Sequence, residues 1–509
     1  MANHALCVAA LLLAARALVL GGDPVKKPQR TAIEFLDTRV VEHTHFLDRR
    51  VTPVRKYEHN PIIADGHSVQ TILKEKDGRL RMWYVTRQRI PGHKGSARAY
   101  ALRYAESTDG IHWTLPKLGL KEFDGSKDNN VVLMANDVDA TGRKMTGEKG
   151  AENFCLIDRE QSPAPHTRGR FTALYGDGSF AYSDDGLHWT AYPENPTFRP
   201  SGSDTYNNFL FDARLGRYVL YHRPHPNIHA GWARANRLVA RIESDDLIHW
   251  DWSTARCALD TDGRDAPAVR SKKDPAKRAK ARARDKQFYG MTVVQYQDFY
   301  LGFAQLLDET RKGWMDIRLV HSFDGIDWRR EPNDTPLIDS NPKFGYWDSG
   351  LISSIASGTP VAMGDDLYFY YGAFNITHNY TFRTKDKDVK MRIGLGIVKR
   401  GRLAGYHAGD DEGELLTRPF LLDRPRLLLN ANAKDGEVRA ALAAEDGKPI
   451  PGCSKEDCEP IRQNGLDLSI RWKNRADLRD LVGKKIRLRI AARNAALYAL
   501  QTSGAVEQP

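Results

Sequence analysis

S107-T-D-G-I-H-W113 returns three times along this chain, as S183-D-D-G-L-H-W189, S244-D-D-L-I-H-W250 and S322-F-D-G-I-D-W328. The opening serines are 76, 61 and 78 residues apart. Each copy closes a run of alternating apolar and aromatic residues, such as R81-M-W-Y-V85 followed by Y100-A-L-R-Y-A105. A period of that size, filled with short strands, predicts a radial β-repeat rather than a helical solenoid. Inside the motif, Asp and Ser side chains bond backbone N–H groups of a tight turn, and Gly takes a positive φ at no steric cost. The Trp opens the next strand and offers a large apolar face to a neighbouring repeat. His112, His188 and His249 occupy the sixth position, but Asp327 replaces them in the fourth copy. The motif therefore reads as architecture, and the chemistry is to be sought elsewhere.

Between the copies the strands fall into units. A fifth unit lacks the motif but keeps the texture, in W347-D-S-G-L-I-S-S354, D366-L-Y-F-Y-Y-G372 and M391-R-I-G-L-G-I-V398. I33-E-F-L-D-T-R-V-V41 is expected to pair with this last unit and close the ring, removing exposed sheet edges. After Gly401 come R426-L-L-L-N430, G436-E-V-R-A-A-L442, L466-D-L-S-I-R-W472 and K485-I-R-L-R-I-A491, separated by turn residues. The expectation is an all-β chain: a five-bladed β-propeller over residues 23–402, then a small C-terminal β-sandwich over 403–509.

Composition bounds the partners. Of the 509 residues, 41% are hydrophobic, with 20 Tyr, 18 Phe and 10 Trp, which is ample for packed sheets. The formal charge of +11 points to an acidic partner or a basic groove. Part of that excess is the run S271-K-K-D-P-A-K-R-A-K-A-R-A-R-D-K286, between the third and fourth copies. No aromatic residue is interleaved there to stack on bases, so the 271–286 run reads as a solvated insertion and no nucleic-acid partner is expected. Residues 1–22 read as a signal peptide, with an apolar core from Ala5 to Ala15 before A15-R-A17. Arg16 interrupts a segment too short to span a bilayer, so the protein is expected to be secreted or periplasmic, without a membrane span. Cys7 would leave with the signal. Cys453 and Cys458 are close enough in sequence to bridge a small loop, whereas Cys155 and Cys257 sit in strand-like contexts as buried thiols. No cysteine pair has zinc-site spacing, and no cofactor is expected.

In a radial repeat the innermost strand of every unit starts near the central channel. The acids at or just before those starts are Glu58, Glu152, Asp204 and Asp348. Convergent carboxylates suit glycoside hydrolysis, in which one acid protonates the leaving oxygen and a second activates water or attacks the sugar. Asp204 leads from the polar loop S201-G-S-D-T-Y-N-N208 into an apolar strand. Asp348 stands beside Trp347, a platform for a sugar ring. Glu152 follows the 134–152 loop, and Glu58 has His59 as a substitute beside it. Asp204, Asp348 and Glu152 are the candidate catalytic residues, and each could equally cap a turn or pair with an arginine. Glu58, His59, Arg223, His378 and Trp347 are the candidate substrate contacts, Arg223 and His378 gripping a hydroxyl, carboxylate or sulfate. His222, His225 and His229 have a spacing open to a metal, but two prolines between them favour a hydrogen-bonded loop, and no metal is expected.

R81-M-W-Y84, Y104-A-E-S-T-D-G-I-H-W113, S183-D-D-G-L-H-W189, R217-Y-V-L-Y221, S244-D-D-L-I-H-W250, W347-D-S-G350, Y368-F-Y-Y371 and L416-T-R-P-F420 carry a family resemblance. The chain resembles the five-bladed β-propeller glycoside hydrolases of families 32 and 43, closest to bacterial proteins with a family 32-like N-terminal domain. The resemblance runs from about Phe35 into the C-terminal region. It implies an Asp on the first blade, a second Asp on a middle blade and an acid Glu further on. Here E58-H-N-P61 stands where the family has its first-blade N-D-P-N motif. S203-D-T205 is the nearest analogue of R-D-P, and E-C is absent. The implied function is glycoside hydrolysis of a poly- or oligosaccharide. The alternatives are a non-catalytic carbohydrate-binding propeller, a glycoside phosphorylase with a basic phosphate pocket, or a scaffold. Deleting residues 271–284 is expected to leave cooperative unfolding and any glycan turnover intact, because a charged surface insertion closes no core; unfolding curves and turnover of the deleted form check this.

Overall fold

The structure is a computed structural model that describes residues 32–88, 99–148, 150–176, 178–198, 204–224, 237–265, 286–343, 345–381 and 389–501. The signal segment, the basic run up to Asp285, His225 and His229 lie outside the described residues.

Second strands of the repeat are buried on both faces. Leu80–Gln88 keeps Leu80, Arg81, Met82, Trp83, Tyr84, Val85 and Thr86 all buried, because a neighbouring sheet covers each side. Such a position calls for apolar residues, and the buried Arg81 among them is ion-paired with Glu75 at 3.1 Å. Around strands of this kind the chain builds antiparallel four-stranded sheets in sequence order. The first holds Ser68–Lys74, Leu80–Gln88, Ala99–Ser107 and Val131–Leu133. The second holds Cys155–Asp158, Phe171–Tyr175, Ser179–Ser183 and Thr190–Ala191. The third holds Asp204–Asp212, Arg217–Arg223, Val239–Ser244 and Trp250–Leu259. A nine-stranded sheet follows, joined across its middle by one parallel pair, Met315 with Leu351. On one side of that pair lies a fourth set, Lys286–Tyr296, Phe299–Asp308, Trp314–Ser322 and Trp328–Arg330. On the other lies a fifth, in the order Leu351–Ile355, Asp366–Phe374, Met391–Lys399, Arg55–Lys56. The fold is all-β; α-helix among the described residues is confined to His378–Thr381, and none is long and apolar enough to cross a membrane.

The first strands touch one another in cyclic order. Gln70 Oε1 accepts from Phe154 N–H at 2.8 Å, and Asn208 Nδ2 meets Cys155 Sγ at 3.3 Å. Asn208 Oδ1 accepts from Val293 N–H at 3.0 Å, and Thr292 Oγ1 donates to the Ile355 carbonyl at 3.0 Å. Ser357 N–H donates to the Gln70 carbonyl at 2.9 Å, which returns to the first sheet.

The repeated motif forms the same turn in every copy. Ser107 Oγ accepts from Gly110 N–H at 2.8 Å, while Asp109 Oδ1 accepts from the N–H groups of Ile111 and His112, both at 2.8 Å. Asp185, Asp246 and Asp324 do likewise. His112, His188 and His249 each place Nδ1 2.7 Å from the Asp of their own turn, so these histidines are turn residues. Each turn docks on the preceding sheet. Tyr370 donates to the Gly110 carbonyl at 2.9 Å, Trp83 to Gly186 at 2.9 Å and Tyr221 to Gly325 at 2.7 Å. Glycine is required twice over at these points: φ is 76° at both Gly110 and Gly186, and a Cβ would stand 2.5 Å from the Tyr370 hydroxyl or 2.7 Å from the Trp83 ring. The third copy has Leu247, also at positive φ, buried in a cluster with Leu174 and Phe180 of the second sheet. The motif tryptophans follow the same rule: Trp113 packs edge-on to Tyr370, Trp250 stacks on Phe180, Trp328 meets Tyr221, and Trp189 shares a cluster with Trp83.

The N-terminal stretch corrects one expectation. Ile33–Glu34 pairs with Leu500 and Ala499, and Val41–His45 pairs with Gly413–Thr417, so this segment joins the C-terminal sheets. The strand that completes the fifth set is the later Arg55–Lys56, against Gly396 and Ile397. Two further sheets, built from residues 33–51 and 404–501, enclose one apolar core containing Phe35, Leu415, Leu429, Leu488 and Leu497. Cys453 and Cys458 lie in that core as free thiols, with no bridge between them. The N-terminal stretch also reaches the fourth set, where Arg49 forks onto the buried Glu331 at 2.7 and 2.9 Å. Burial alone would raise the Glu331 carboxyl, but His321 and Arg49 outweigh it and hold it down at about 2.

Two expectations arise here. Gly186→Ala should lower stability by about 1–3 kcal/mol more than Gly78→Ala, since both positions have positive φ but nothing lies within 4 Å of Gly78; urea unfolding of the two variants measures the difference. Acid should also weaken the docking. In Asp109, Asp185, Asp246 and Asp324, burial pushes the carboxyl up, but hydrogen bonds from their own turns outweigh it and the net shift is downward. Groups depressed on folding stabilise above their unfolded value of about 3.9 and lose that contribution as pH falls toward their folded values. With Glu331 acting the same way, thermal midpoints are expected to hold above about pH 5 and fall steeply below about pH 4.

Candidate functional site

In each set the second strand runs antiparallel to the first, so the N-terminal end of the first strand lies beside the C-terminal end of the second. The chain departs from regular pairing at this end. The register shifts between Val69 and Thr71, between Asp204 and Asn208, between Phe288 and Gly290, and between Ile352 and Ser354. Such bulges re-aim side chains that a regular strand would bury or expose by alternation.

Tyr206 and Tyr289 are the residues so displaced. A Cβ on Gly290 would stand 2.7 Å from Gln305 Oε1 and 3.1 Å from Tyr206 N, so glycine there lets the third and fourth sheets close around the two tyrosines. The Tyr206 hydroxyl lies 3.4 Å from Ser68 Oγ, and Ser68 Oγ accepts from Gln70 Nε2 at 2.6 Å. Burial pushes the Tyr206 hydroxyl upward, the hydrogen bond to Ser68 opposes it, and the negative charge of Glu152 adds to the rise, so the hydroxyl stays protonated. Glu152 is held by the backbone around it. Gly150, at φ 79°, lies so close to the Tyr100 carbonyl that a Cβ would be 2.0 Å from it, and Ala151 N–H donates to that same carbonyl at 3.2 Å. The loop before the second sheet is thereby fixed to the first. His67 completes this side, buried edge-on to Tyr100 and Phe374 at 4.7 and 5.1 Å.

On the other side, Arg223 sets its guanidinium carbon 4.4 Å from the centre of the Tyr289 ring, and Arg237 stands 5.3 Å from the same ring. His378 meets that ring edge-on at 5.1 Å, its Nε2 3.3 Å from the Tyr289 hydroxyl. The cluster thus draws on all five strand sets: Ser68 and Tyr100, Glu152, Tyr206 with Arg223 and Arg237, Tyr289, and His378 on the loop after the fifth set's second strand.

The expected residues divide. Glu152, Arg223 and His378 belong to this cluster. Asp204 heads the third sheet's first strand at the same end, its Cα directly opposite that of Arg223. Asp348 is elsewhere: it is 0% exposed, ion-paired with Lys56 at 2.6 Å, with the Tyr371 hydroxyl 3.4 Å away. It ties the loop before the fifth set to the strand that completes that set. Trp347 beside it is 7% exposed and stacked on Tyr371. Glu58 and His59 have side chains 76% and 74% exposed and lie 3.6 Å apart, on the turn after the outermost strand. Tyr206, Tyr289, His67 and Arg237 are additional members that the sequence did not single out; F288-Y-G290, a glycine inside an apolar strand, is the one signal of a bulge among them. His222 is buried against Phe198, and no group of three metal-binding side chains is found among the described residues.

A cavity of about 590 Å³ lies at the opposite ends of the first and second sheets, among Glu75, Arg81, Glu106, Arg170 and Asp185. Its walls are a salt-bridge network, with Glu75 taking Arg81 at 3.1 Å and Arg170 at 2.6 Å, and it is remote from the tyrosine cluster.

The sequence matches no family model and no curated protein. Among solved structures, it is similar to a glycosyl hydrolase from Bacteroides ovatus, with TM-score 0.45 and 13% identity over 69% of this chain and 95% of that one. A β-1,2-mannobiose phosphorylase from Listeria innocua gives 0.41 and 12% over 69% and 98%, and an exo-inulinase from Aspergillus awamori 0.35 and 11% over 90% and 99%. Replacing Lys56 with Met is expected to cost about 3 kcal/mol, because it strands the Asp348 carboxylate in the interior; chemical denaturation measures the loss. Glycoside hydrolases and phosphorylases are thus what the chain is similar to, at a distance that shows nothing of its own activity.

Proposed function

We propose that this protein is exported after removal of residues 1–22 and consists of a five-bladed β-propeller over about 55–399 with a β-sandwich built from residues 33–51 and 404–501. On this reading it hydrolyses a glycosidic bond in a poly- or oligosaccharide. The observation that carries the reading is the convergence at one end of the strand sets. The hydroxyls of Tyr206 and Ser68 and the Arg223–Tyr289–His378 group come from different strand sets and meet there, and the charge of Glu152 is felt at the Tyr206 hydroxyl. Sugar recognition calls for this mixture of aromatic faces and fixed polar groups. The cleavage calls for two carboxylates: one donates a proton to the leaving oxygen while the other activates water or attacks the sugar carbon. Glu152 and Asp204 are the pair assigned here. Tyr206, kept protonated, donates a hydrogen bond to a sugar oxygen and orients the ring against the acids.

Glu152→Gln and Asp204→Asn are each expected to cut turnover at least ~10²-fold without loss of fold, measured as reducing ends released from a glycan panel. Unchanged rates in both would move the chemistry to other residues. Glycan binding by the unaltered protein with no turnover would make it a binding propeller, and turnover dependent on inorganic phosphate would make it a phosphorylase.

A further inference from the structure

We propose that Trp252 is a surface platform for one ring of a polysaccharide chain, on the rim of the third sheet and apart from the tyrosine cluster. The inference rests on the glycan reading above and adds a second place at which the same polymer is held. Trp250–Leu259 is the outermost strand of its sheet, and its pairing with Val239–Ser244 breaks in the middle. Asp251 lies opposite Glu243 and Arg256 opposite Arg241, so 252–255 stand against Ile242 alone. Bulges on an edge strand re-aim the side chains they carry. This one is closed by its own hydrogen bonds. Asp251 Oδ1 accepts from Ser253 N–H at 3.1 Å and from the Ser253 hydroxyl at 2.5 Å. Thr254 Oγ1 donates to the Asp251 carbonyl at 2.6 Å and accepts from Glu243 N–H at 3.0 Å. The Thr254 hydroxyl thereby takes the place of a missing ladder partner, and the extruded segment is tied back to the sheet.

Trp252 is the one exposed tryptophan among the described residues, with a relative exposure of 48%. Its ring lies nearly flat on that of Phe198, with 5.9 Å between centres and 13° between planes. Phe198 is fully buried and meets Trp250 and His222 edge-on at 5.4 and 4.9 Å. A ring backed in this way has lost rotamer freedom before any ligand arrives, so binding costs less. Size and surroundings decide what covers it. Asp251, Ser253 and Arg256 flank Trp252 along the strand, and no second large apolar residue is exposed on that strand. A lone ring with polar flanks is far smaller than the roughly 800 Å² each partner buries in a stable protein interface. The bulge also spoils this edge for an added strand, which needs an unbroken row of backbone groups. Stacked nucleobases require a positive groove beside the ring, whereas the flank here balances Arg256 with Asp251. A sugar ring meets the conditions: its C–H face covers the electron-rich aromatic face while its hydroxyls bond to polar groups alongside. One such contact is weak. It gains force when the same polymer also occupies the cleavage site, because the second contact then forms at high effective concentration.

The test is affinity electrophoresis of the Glu152→Gln form, which spares the glycan. The gels hold soluble polysaccharides built from glucose, mannose, xylose or fructose, with single-stranded DNA as a control. At least one polysaccharide is expected to retard the protein. Trp252→Ala made in the same form is expected to weaken that retention about tenfold or more, and Trp252→Tyr, which keeps a ring, to restore most of it. Acrylamide quenching gives a second reading: the retarding polysaccharide is expected to shield an exposed tryptophan in the Glu152→Gln form but not in its Trp252→Phe derivative. Trp252→Phe keeps a ring on Phe198, so this reading stands even where Trp252→Ala lowers the thermal midpoint. Retention and shielding that are unchanged by these substitutions overturn the platform and leave the glycosidase reading standing. Release of reducing ends by the unaltered protein, without retention by any polysaccharide, does the same. Retention by DNA alone, lost in Trp252→Ala, overturns the platform in favour of a stacking site for nucleobases. Neither retention nor turnover of any glycan overturns both readings.

Discussion

The arrangement of the repeated sheets depends on one contact, an aromatic N–H or O–H on a second strand donating to the glycine carbonyl of the next sheet's turn. Tyr370 to Gly110, Trp83 to Gly186 and Tyr221 to Gly325 are three instances of it. The donor is buried, and the acceptor is a main-chain group that an unusual φ turns away from its own sheet. An unmade bond at such a place costs the full desolvation of both partners, so the contact fixes spacing and angle between neighbours, where burial of apolar area alone would tolerate sliding. Where the chain has Leu247 in place of glycine, the same position is filled by an apolar plug against Leu174 and Phe180. The two solutions are alternatives at one site: a polar latch where space is reserved for it, and packing where it is not.

That rigidity is what allows irregularity at the other end. The first strands of four sets break register near their starts, and the bulges send Tyr206 and Tyr289 out of the alternation. A strand held firmly by its neighbours tolerates such a break locally, because the ladder resumes within a few residues. The tyrosine cluster is thus assembled from the least regular segments of a regular frame, and its members are brought together by register shifts rather than by proximity in sequence.

This explains which parts could be read from residues alone. The turn motif has a chemistry of its own, since Ser, Asp and Gly each have a fixed task within seven residues, and so the repeat and nearly every strand were legible. Glu152, Arg223 and His378 were legible as polar residues at strand starts or ends. Asp348 looked the same from the sequence, but nothing local distinguishes an acid facing a channel from one paired with Lys56, some 290 residues away in the chain. Trp347 beside it stacks on Tyr371 of the fifth set's own second strand, a contact that its sequence neighbours do not announce. Tyr206 and Tyr289 were invisible because a bulge is a relation between two strands. The stretch from Ile33 to Val41 reads as one strand but holds the two-residue strand Ile33–Glu34, a 3-10 turn over Thr38–Val40 and the start of a second strand, and both strands pair with the C-terminal sheets.

The pairing of Ile33–Glu34 with Ala499 and Leu500 has a consequence for how the molecule comes into being. More than 400 residues separate these partners along the chain, so the earlier strand waits while all of them are made before the later one appears. The first three sheets, each made of strands adjacent in sequence, need no such delay. During that interval Ile33, Phe35 and Val40 are apolar residues without their core, the kind of segment that chaperones hold and that nascent chains exchange with one another. Ile33–Glu34 and Ala496–Gln501 are then required for one sheet, and a product that lacks the later strand loses the anchorage of the earlier one as well.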